Sequence, residues 1–527
     1  MRKKFILGSL IVMAGLLAGA AYYPWIAWLW ILFGPLILLG IVDMIQVKHA
    51  IMRNYPLVGR LRYLMEDLRP KIYQYFIESD IDGRPVNRVD RSTIYQRAKR
   101  QLDTQPFGTQ FNVYQEGYEW MGHSVQPVPF EKMNKDPRIL IGGGDCAHPY
   151  AASVLNVSAM SFGSLSSNAI EALNGGARIG NFAHNTGEGG LSPYHLAQGG
   201  DIVWQIGTGY FGCRDDNGNF LPELFRKKCR DHPQVKMVEL KLSQGAKPGH
   251  GGILPAEKNT AEIAAIRHVR AGTTIFSPPY HTAFSTPLGL MKFVGQLREL
   301  SNGLPVGFKL CIGRRSEFIA ICKAMLETDI YPDFITIDGG EGGTGAAPPE
   351  FSNSVGMPFM DGLAFAQDVL VGMGVRDKLK LITSGKILTG FHIVRALALG
   401  ADACNSARAM MIALGCIQSL LCNTNKCPTG VATQDKLRAS GLVVSDKKQR
   451  VANYHRDTVE SAVELTAAAG LSDLRQLTRS HLYRRVFMND VRTFEEIYPS
   501  LQPGSLLKGL LSERYRHDMA AAATDRW

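Results

Sequence analysis

No stretch of the 527-residue sequence packs Lys and Arg densely enough to track a nucleic-acid backbone, although Lys and Arg outnumber Asp and Glu by 58 to 47 and the net charge is +11. That mild excess suits anionic ligands or a membrane surface. Charged residues are only 20% and the hydrophobic set is 45%, a globular and not a disordered composition. The nine cysteines are too few and too scattered for a disulfide scaffold in a chain this long. A reducing compartment with a few thiolate ligands is the simpler reading. No internal repeat of solenoid or propeller length is visible. There is no H-E-x-x-H, no Walker A and no G-x-S-x-G elbow, which removes zincin, P-loop and α/β-hydrolase chemistry. Gly207-Thr208-Gly209-Tyr210-Phe211-Gly212 fits G-x-G-x-x-G but opens no helix, and an Asp215-Asp216-Asn217-Gly218 turn follows at once. It is rejected as a dinucleotide fingerprint. Asn156-Val157-Ser158 fits a glycosylation acceptor but falls in a predicted strand, and is set aside.

Long apolar runs are confined to the N-terminus. Arg2, Lys3 and Lys4 precede a run from Phe5 to Ala21, and a second goes from Trp25 to Val42 and stops at Asp43. Each is near the ~20 residues that cross a bilayer. Tyr22, Tyr23, Trp25, Trp28 and Trp30 gather at the turn between them, and Lys48, His49, Arg53, Arg60 and Arg62 follow. Aromatics at the turn and basic residues at both outer ends predict a transmembrane helical hairpin, 1–47, with both ends in the cytoplasm. The rival is a signal peptide cut at Ala18-Gly19-Ala20, but the second run would still anchor the chain. The expected location is the inner (cytoplasmic) membrane, with the body of the chain in the cytoplasm.

Residues 48–150 are polar with little periodicity and read as a wrapping extension, closed by a turn at Ile141-Gly142-Gly143-Gly144. From 151 to 435 the pattern changes. Short apolar runs at Val154–Met160, Gly180–His184, Ile202–Ile206, Val235–Leu242, Val306–Leu310, Phe334–Ile337, Leu379–Thr383 and Ala401–Asn405 end in Gly- or Ser-rich loops and alternate with helical stretches. Eight such units predict an α/β fold, a (β/α)8 TIM barrel with its functional residues at the C-terminal strand ends. A doubly wound open sheet is the alternative, because periodicity cannot close a barrel. Residues 436–527 read as a C-terminal helical extension without chemistry.

The strand ends are rich in glycine, of which the chain has 54. They read Ser158-Ala159-Met160-Ser161-Phe162-Gly163, Asn185-Thr186-Gly187-Glu188-Gly189-Gly190, Lys241-Leu242-Ser243-Gln244-Gly245-Ala246-Lys247, Lys309, Asp338 through Gly345 (with Gly343 and Thr344), Ser384-Gly385-Lys386, and Asn405-Ser406-Ala407-Arg408. Small residues with backbone N–H donors at the last two strand ends suit a phosphate, with charge from Lys386 or Arg408. Lysines at the fourth and fifth strand ends suit an electron-rich ring or a dicarboxylate. Any single loop reads better as a tight turn; six at matching places argue for a site.

Cys416, Cys422 and Cys427 stand as C-x5-C-x4-C-P just after the eighth strand. Thiolates a few residues apart with a Pro after the last fit an iron–sulfur cluster, and three ligands favour 3Fe–4S over 4Fe–4S. Three buried core thiols, or structural zinc without its usual paired spacing, are the rivals.

Five phrases occur in one order: SAMSFG at 158–163, NTGEGG at 185–190, KLSQGAKPG at 241–249, GGTGAAP at 342–348 and GCIQSLLCNTNKCPTGVATQ at 415–434. In these the chain resembles the FMN-binding domain of glutamate synthase, and more closely the short membrane-anchored members of that family. The resemblance implies an oxidoreductase carrying FMN and a 3Fe–4S cluster on Cys416, Cys422 and Cys427, reducing 2-iminoglutarate to L-glutamate. It implies that Ser158, Met160, Lys309, Gly343, Thr344, Ser384, Gly385, Lys386, Ala407 and Arg408 hold FMN. Glu188, Lys241, Gln244 and Lys247 would then bind the 2-oxoacid or assist proton transfer. No amidotransferase or NAD(P)H domain is visible, so nitrogen is expected from ammonia or a partner, and electrons from a ferredoxin-like protein or a quinone. Nothing excludes a homo-oligomer, and no nucleic-acid partner is expected. His250 replaces a Glu usual after AKPG, and extra glycines surround Glu341. Both leave open another oxoacid, imine or hydroxyacid, or a non-catalytic electron-transfer subunit.

Overall fold

The computed structural model describes residues 1–102, 104–510 and 513–527. The chain divides into two compact units, 1–88 and 89–527.

In the first unit, Arg2–Tyr22 and Pro24–Ile45 are helical and long and apolar enough to cross a membrane. Most of their side chains are exposed, as are Tyr22, Tyr23, Trp25 and Trp28 at the turn. Gly40 lies against the ring of Phe5, and Gly19 against Ile26, so the two helices run antiparallel. Asp43 is fully buried near the end of the second helix. Its carboxylate accepts from Arg60 Nε (3.0 Å) and Nη2 (2.6 Å) and from the backbone N–H of Leu57 (3.0 Å). This pairing fixes the start of the next long helix, Gly59–Ile72, which continues through a π turn at Tyr73–Ile77.

The second unit is built on a closed barrel of eight parallel strands. They are β1 (Leu155–Val157), β2 (His184–Asn185), β3 (Ile202–Ile206), β4 (Val235–Lys241), β5 (Val306–Leu310), β6 (Phe334–Asp338), β7 (Lys380–Ser384) and β8 (Ala403–Ser406). Each pairs with its neighbours in chain order, and β8 closes on β1 through Cys404↔Leu155 to Ser406↔Val157. This is the predicted fold, and the open sheet is excluded. The second strand begins later than expected. The helix Ser167–Gly180 takes up the Gly180 end of the predicted run, and Asn181 caps it in the left-handed conformation at φ 52°.

Ile141 and Ala152, from an antiparallel hairpin (Arg138–Ile141 with Tyr150–Ser153), pack with Val203, Met237, Phe334, Ile382 and Ala403 near the N-terminal ends of the strands. An apolar plug thus fills one end of the barrel and leaves polar side chains to the other. The C-terminal segment is less uniformly helical than expected. Val444–Ala468 is a 25-residue helix, but Leu482–Phe487 and Asp490–Thr493 form a hairpin that pairs with Glu119–Met121.

Candidate active site at the C-terminal strand ends

The last residue of β4 is Lys241. Its ammonium lies 3.0 Å from Glu188 Oε2, on the loop after β2, and both side chains are largely buried. Gly207, at the end of β3, and Gly252 make room for this carboxylate, since a Cβ on either would come within 3.0 Å of Glu188. Close approach, not dinucleotide binding, therefore accounts for the first glycine of the rejected motif. Burial alone would raise the Glu188 pKa, but Lys241, Lys247 and Arg267 outweigh it and hold the carboxyl below its ordinary value. Lys247 donates to the carbonyl of Ala346 at 2.8 Å. Burial and the neighbouring Lys241, opposed by Glu188, bring its pKa down to about 8. Gln244 sits in the same turn, where its carbonyl accepts from Lys247 N at 3.3 Å.

Arg267 was not visible as a site residue in the sequence. It is 4% exposed, donates to the carbonyl of Phe162 and stacks over the ring of Phe211, and its Nε has no partner among the described residues. Burial lowers its pKa to about 10 against the pull of Glu188, which leaves it a cation at neutral pH. With Ser161, Ser164, Glu188, Gly252 and Ser277, and the apolar Ile253, Leu254 and Ile275, it lines a narrow recess of about 20 Å³. Arg267 and Glu188 face this recess, and Lys241 and Lys247 act on the same carboxylate from outside its lining, so three cations surround one carboxylate, an arrangement suited to a small polyanion.

His281 holds the end of β4 from behind. One ring nitrogen, Nε2, lies 2.8 Å from the carbonyl of Lys241, and Nδ1 lies 3.0 Å from the Tyr210 hydroxyl. A carbonyl only accepts, so Nε2 carries the proton and Nδ1 accepts from Tyr210. Burial pulls the pKa of His281 down to about 4, in keeping with a neutral ring.

Lys309, on β5, is 3.3 Å from Asp338 Oδ2 at the end of β6. Burial presses the ammonium toward its neutral form, but Asp338 and Glu239 outweigh it and keep the pKa above its ordinary value. Asp338 also accepts from Gly245 N (2.8 Å) and from the Ser384 hydroxyl. Below it, Glu239 accepts from Asn185 (2.8 Å), Gln205 (2.5 Å) and Thr336 (2.7 Å). These buried bonds join β2, β3, β4, β5, β6 and β7 across the barrel interior and fix the lysines in place.

At the remaining strand ends, Gly385 (φ +144°) and Lys386 (φ +53°) both take positive φ in the turn after β7. The helix Arg408–Leu414 opens from Ala407 with no side chain capping its first N–H groups. Arg408 donates to the carbonyl of Glu341 at 2.5 Å and lies against Gly343, where a Cβ would come within 3.2 Å of it. Ser158 N donates to Ser406 O (3.0 Å) and Met160 N to Asn185 O (3.3 Å), which brings the β1 loop to the same rim. Thr344 is exposed and contacts the carbonyl of Ala346.

Cys416, Cys422 and Cys427 carry no disulfide, and among the described residues no three His, Cys, Asp or Glu converge closely enough to grip a single metal ion. Their chemistry differs. Burial raises the Cys416 thiol to about 11 and also raises Cys422, whereas backbone N–H groups of Ala432, Thr429 and Val431 and the Thr429 hydroxyl outweigh burial and lower Cys427. Lys258 sits beneath this loop, 3% exposed. Its ammonium donates to the carbonyls of Ser164 (3.0 Å), Cys422 (2.9 Å) and Ala432 (3.2 Å), tying the cysteine loop to the β1 loop.

The family model for the conserved region in glutamate synthase matches residues 101–472. The chain is 38% identical over 484 residues to the glutamate synthase large subunit-like protein YerD of Bacillus subtilis (strain 168), covering 84% of this chain and 91% of that one. It is 35% identical over 324 residues to the archaeal glutamate synthase [NADPH] of Methanocaldococcus jannaschii, covering 61% of this chain and 60% of that one, so it spans about three fifths of that relative. Among solved structures, mandelate oxidase with (S)-4-hydroxymandelic acid superposes loosely, with a TM-score of 0.41 at 13% identity over 83% of this chain and 98% of that one.

Proposed function

Because the chain belongs to the glutamate synthase family of oxidoreductases, we propose that it is a membrane-anchored FMN and iron–sulfur enzyme that reduces 2-iminoglutarate to L-glutamate. The imine would come from 2-oxoglutarate and ammonia, or from nitrogen supplied by a partner. The observation that carries this reading is the convergence of Lys241, Lys247 and Arg267 on Glu188 at one end of the barrel.

A five-carbon dicarboxylate needs two anion sites, and three cations offer them. Glu188 is held ionised, so it would pair with the protonated imine nitrogen and keep the C=N bond polarised. The buried Lys241–Glu188 pair orders the carboxylate before substrate arrives. Gln244, on the Lys247 turn, would hydrogen-bond the oxoacid.

The residues around β7 and β8 fit FMN. The turn at Ser384-Gly385-Lys386 and the uncapped helix start at Ala407-Arg408 offer backbone donors to its phosphate, beside the Lys386 and Arg408 side chains. Ser158, Met160, Gly343 and Thr344 would border the ring, and Lys309 would oppose negative charge on it. When bound, FMN would supply hydride to the imine carbon.

Cys416, Cys422 and Cys427 would hold the 3Fe–4S cluster. Each iron of a cluster takes its own thiolate, so the three sulfurs would stand further apart than the ligands of one ion. Backbone N–H donors around Cys427 and the fixed Lys258 ammonium both favour sulfur in its anionic form. The electron donor would be a ferredoxin-like protein or a quinone. The two N-terminal helices support placement in the cytoplasmic membrane with the barrel on the cytoplasmic side.

The test is 2-oxoglutarate-dependent glutamate formation by the purified full-length protein, with dithionite or reduced ferredoxin as donor and ammonia as nitrogen source. Glutamate formation supports the reading. Turnover of a different oxoacid or hydroxyacid, with none here, would redirect it to the alternative left open by His250.

A further inference from the structure

The helix at 59–77 carries an apolar stripe along one side, with Tyr73 and Ile77 of the final π turn exposed beside it. Leu61, Leu64, Met65, Leu68, Ile72, Tyr75 and Phe76 recur at intervals of three and four residues, which places them on one side of the helix. All but Leu68, which is half-buried, are exposed, and Phe76 is 84% exposed. Large apolar side chains gathered on one exposed stripe call for an occupant.

The flanks say what it is. Arg62 and Arg69 border the stripe on one side and Arg60 and Lys71 on the other, while Glu66 and Asp67 fall toward the polar side. There Arg62 meets Glu66 at 2.8 Å and Lys71 meets Asp67 at 3.4 Å. From 50 to 77, five basic side chains stand against two acidic ones. An apolar stripe with basic shoulders is the pattern of a helix lying in the plane of a lipid headgroup layer. Its position agrees with this. The helix starts 14 residues after the second apolar helix ends at Ile45, and the Asp43–Arg60 pair clamps its first turn to that helix.

We propose that residues 59–77 form an in-plane anchor whose apolar stripe seats in the headgroup–acyl boundary of an anionic phospholipid leaflet. The proposal rests on the membrane reading of the N-terminal hairpin and adds a second, peripheral contact to it. Anionic lipids attract the Arg and Lys shoulders, and the aromatic end at Tyr75 and Phe76 suits the interface. The Asp43–Arg60 clamp keeps the stripe from rotating away from the bilayer.

Photocrosslinking tests this in the full-length protein, reconstituted into vesicles of phosphatidylcholine and phosphatidylglycerol. A benzophenone amino acid is placed singly at Leu64, Ile72 or Phe76, at Glu66 or Gln74 on the polar side, and at Leu38 in the second apolar helix. Lipid adducts are expected at Leu64, Ile72, Phe76 and Leu38, and none at Glu66 and Gln74. Omitting phosphatidylglycerol, or combining Arg69→Glu with Lys71→Glu, should lower the stripe adducts and leave the Leu38 adduct unchanged. Lipid adducts at Leu38 alone, with the stripe silent or crosslinked to protein, would overturn the in-plane anchor and leave the hairpin standing. No lipid adduct at Leu38 would overturn the membrane reading and the anchor with it. Stripe adducts indifferent to lipid charge and to the double substitution would overturn the assignment to an anionic leaflet.

Discussion

Lys241 and Lys309 occupy matched positions on the neighbouring parallel strands β4 and β5, so their side chains leave the sheet on the same face. Like charges side by side are ordinarily unfavourable. Each lysine has its own buried carboxylate, Glu188 at 3.0 Å and Asp338 at 3.3 Å. The pairing separates two cationic sites that would otherwise merge, one toward the recess with Arg267 and one toward the Ser384 rim. On the proposed function, the first takes the oxoacid and the second the flavin.

Glu188→Gln should separate binding from turnover. Without the carboxylate the three cations that surround it remain, so 2-oxoglutarate should bind as tightly or more tightly. Loss of a group that manages a proton in the transition state should lower kcat by roughly 10²–10⁴-fold. Steady-state kinetics with a parallel binding titration will show whether kcat falls while affinity holds.

Arg267→Gln removes the buried cation with the unpartnered Nε. A charge-assisted hydrogen bond to a substrate carboxylate is worth about 1.5–3 kcal/mol, so KM for 2-oxoglutarate should rise by roughly ten- to a hundredfold. An unchanged KM would place the substrate elsewhere in the barrel mouth.

The proposed anion site should weaken in mild alkali. Lys247 is depressed to about 8, so its ammonium is lost as pH rises through that value and dicarboxylate binding falls with it. The kcat/KM profile should show an alkaline limb near pH 8, and Lys247→Arg should move that limb upward. For stability the sign is opposite. The depressed pKa means the folded state favours the neutral amine, so this residue costs stability at neutral pH and the cost fades as pH rises from about 8 toward the ordinary lysine value.

Lys258→Met leaves three backbone carbonyls without their donor. Buried unsatisfied acceptors cost about 1–3 kcal/mol each, so the cysteine loop should loosen. Iron per chain after anaerobic purification should drop, and the melting temperature should fall.

Much of the barrel was legible because each strand is a short apolar run ended by glycine or serine, and seven of the eight lie where those runs do. The second was displaced because Gly180 belongs to the preceding helix, whose left-handed cap at Asn181 leaves no mark in an apolar pattern. The loop lysines and Glu188 were legible from their places after strands. Arg267, His281 and Glu239 were not singled out, and Asp338 was named at the sixth strand end but given no partner, since their partners lie far away in sequence and only barrel closure brings them together. The hairpin Leu482–Thr493 was hidden by Arg484, Arg485, Asp490 and Arg492, whose charges mask a strand pattern. The stripe at 61–76 was hidden by its dense basic flanks.

The most direct test of the central claim is a single turnover by the anaerobic full-length protein, reduced with dithionite and freed of excess reductant. The account predicts that adding 2-oxoglutarate and ammonium together restores the oxidised flavin absorption and yields L-glutamate in matching amount, while either alone does neither. Protein that holds no flavin after FMN loading, or that stays reduced with both present and is reoxidised by an unrelated acceptor, would contradict it.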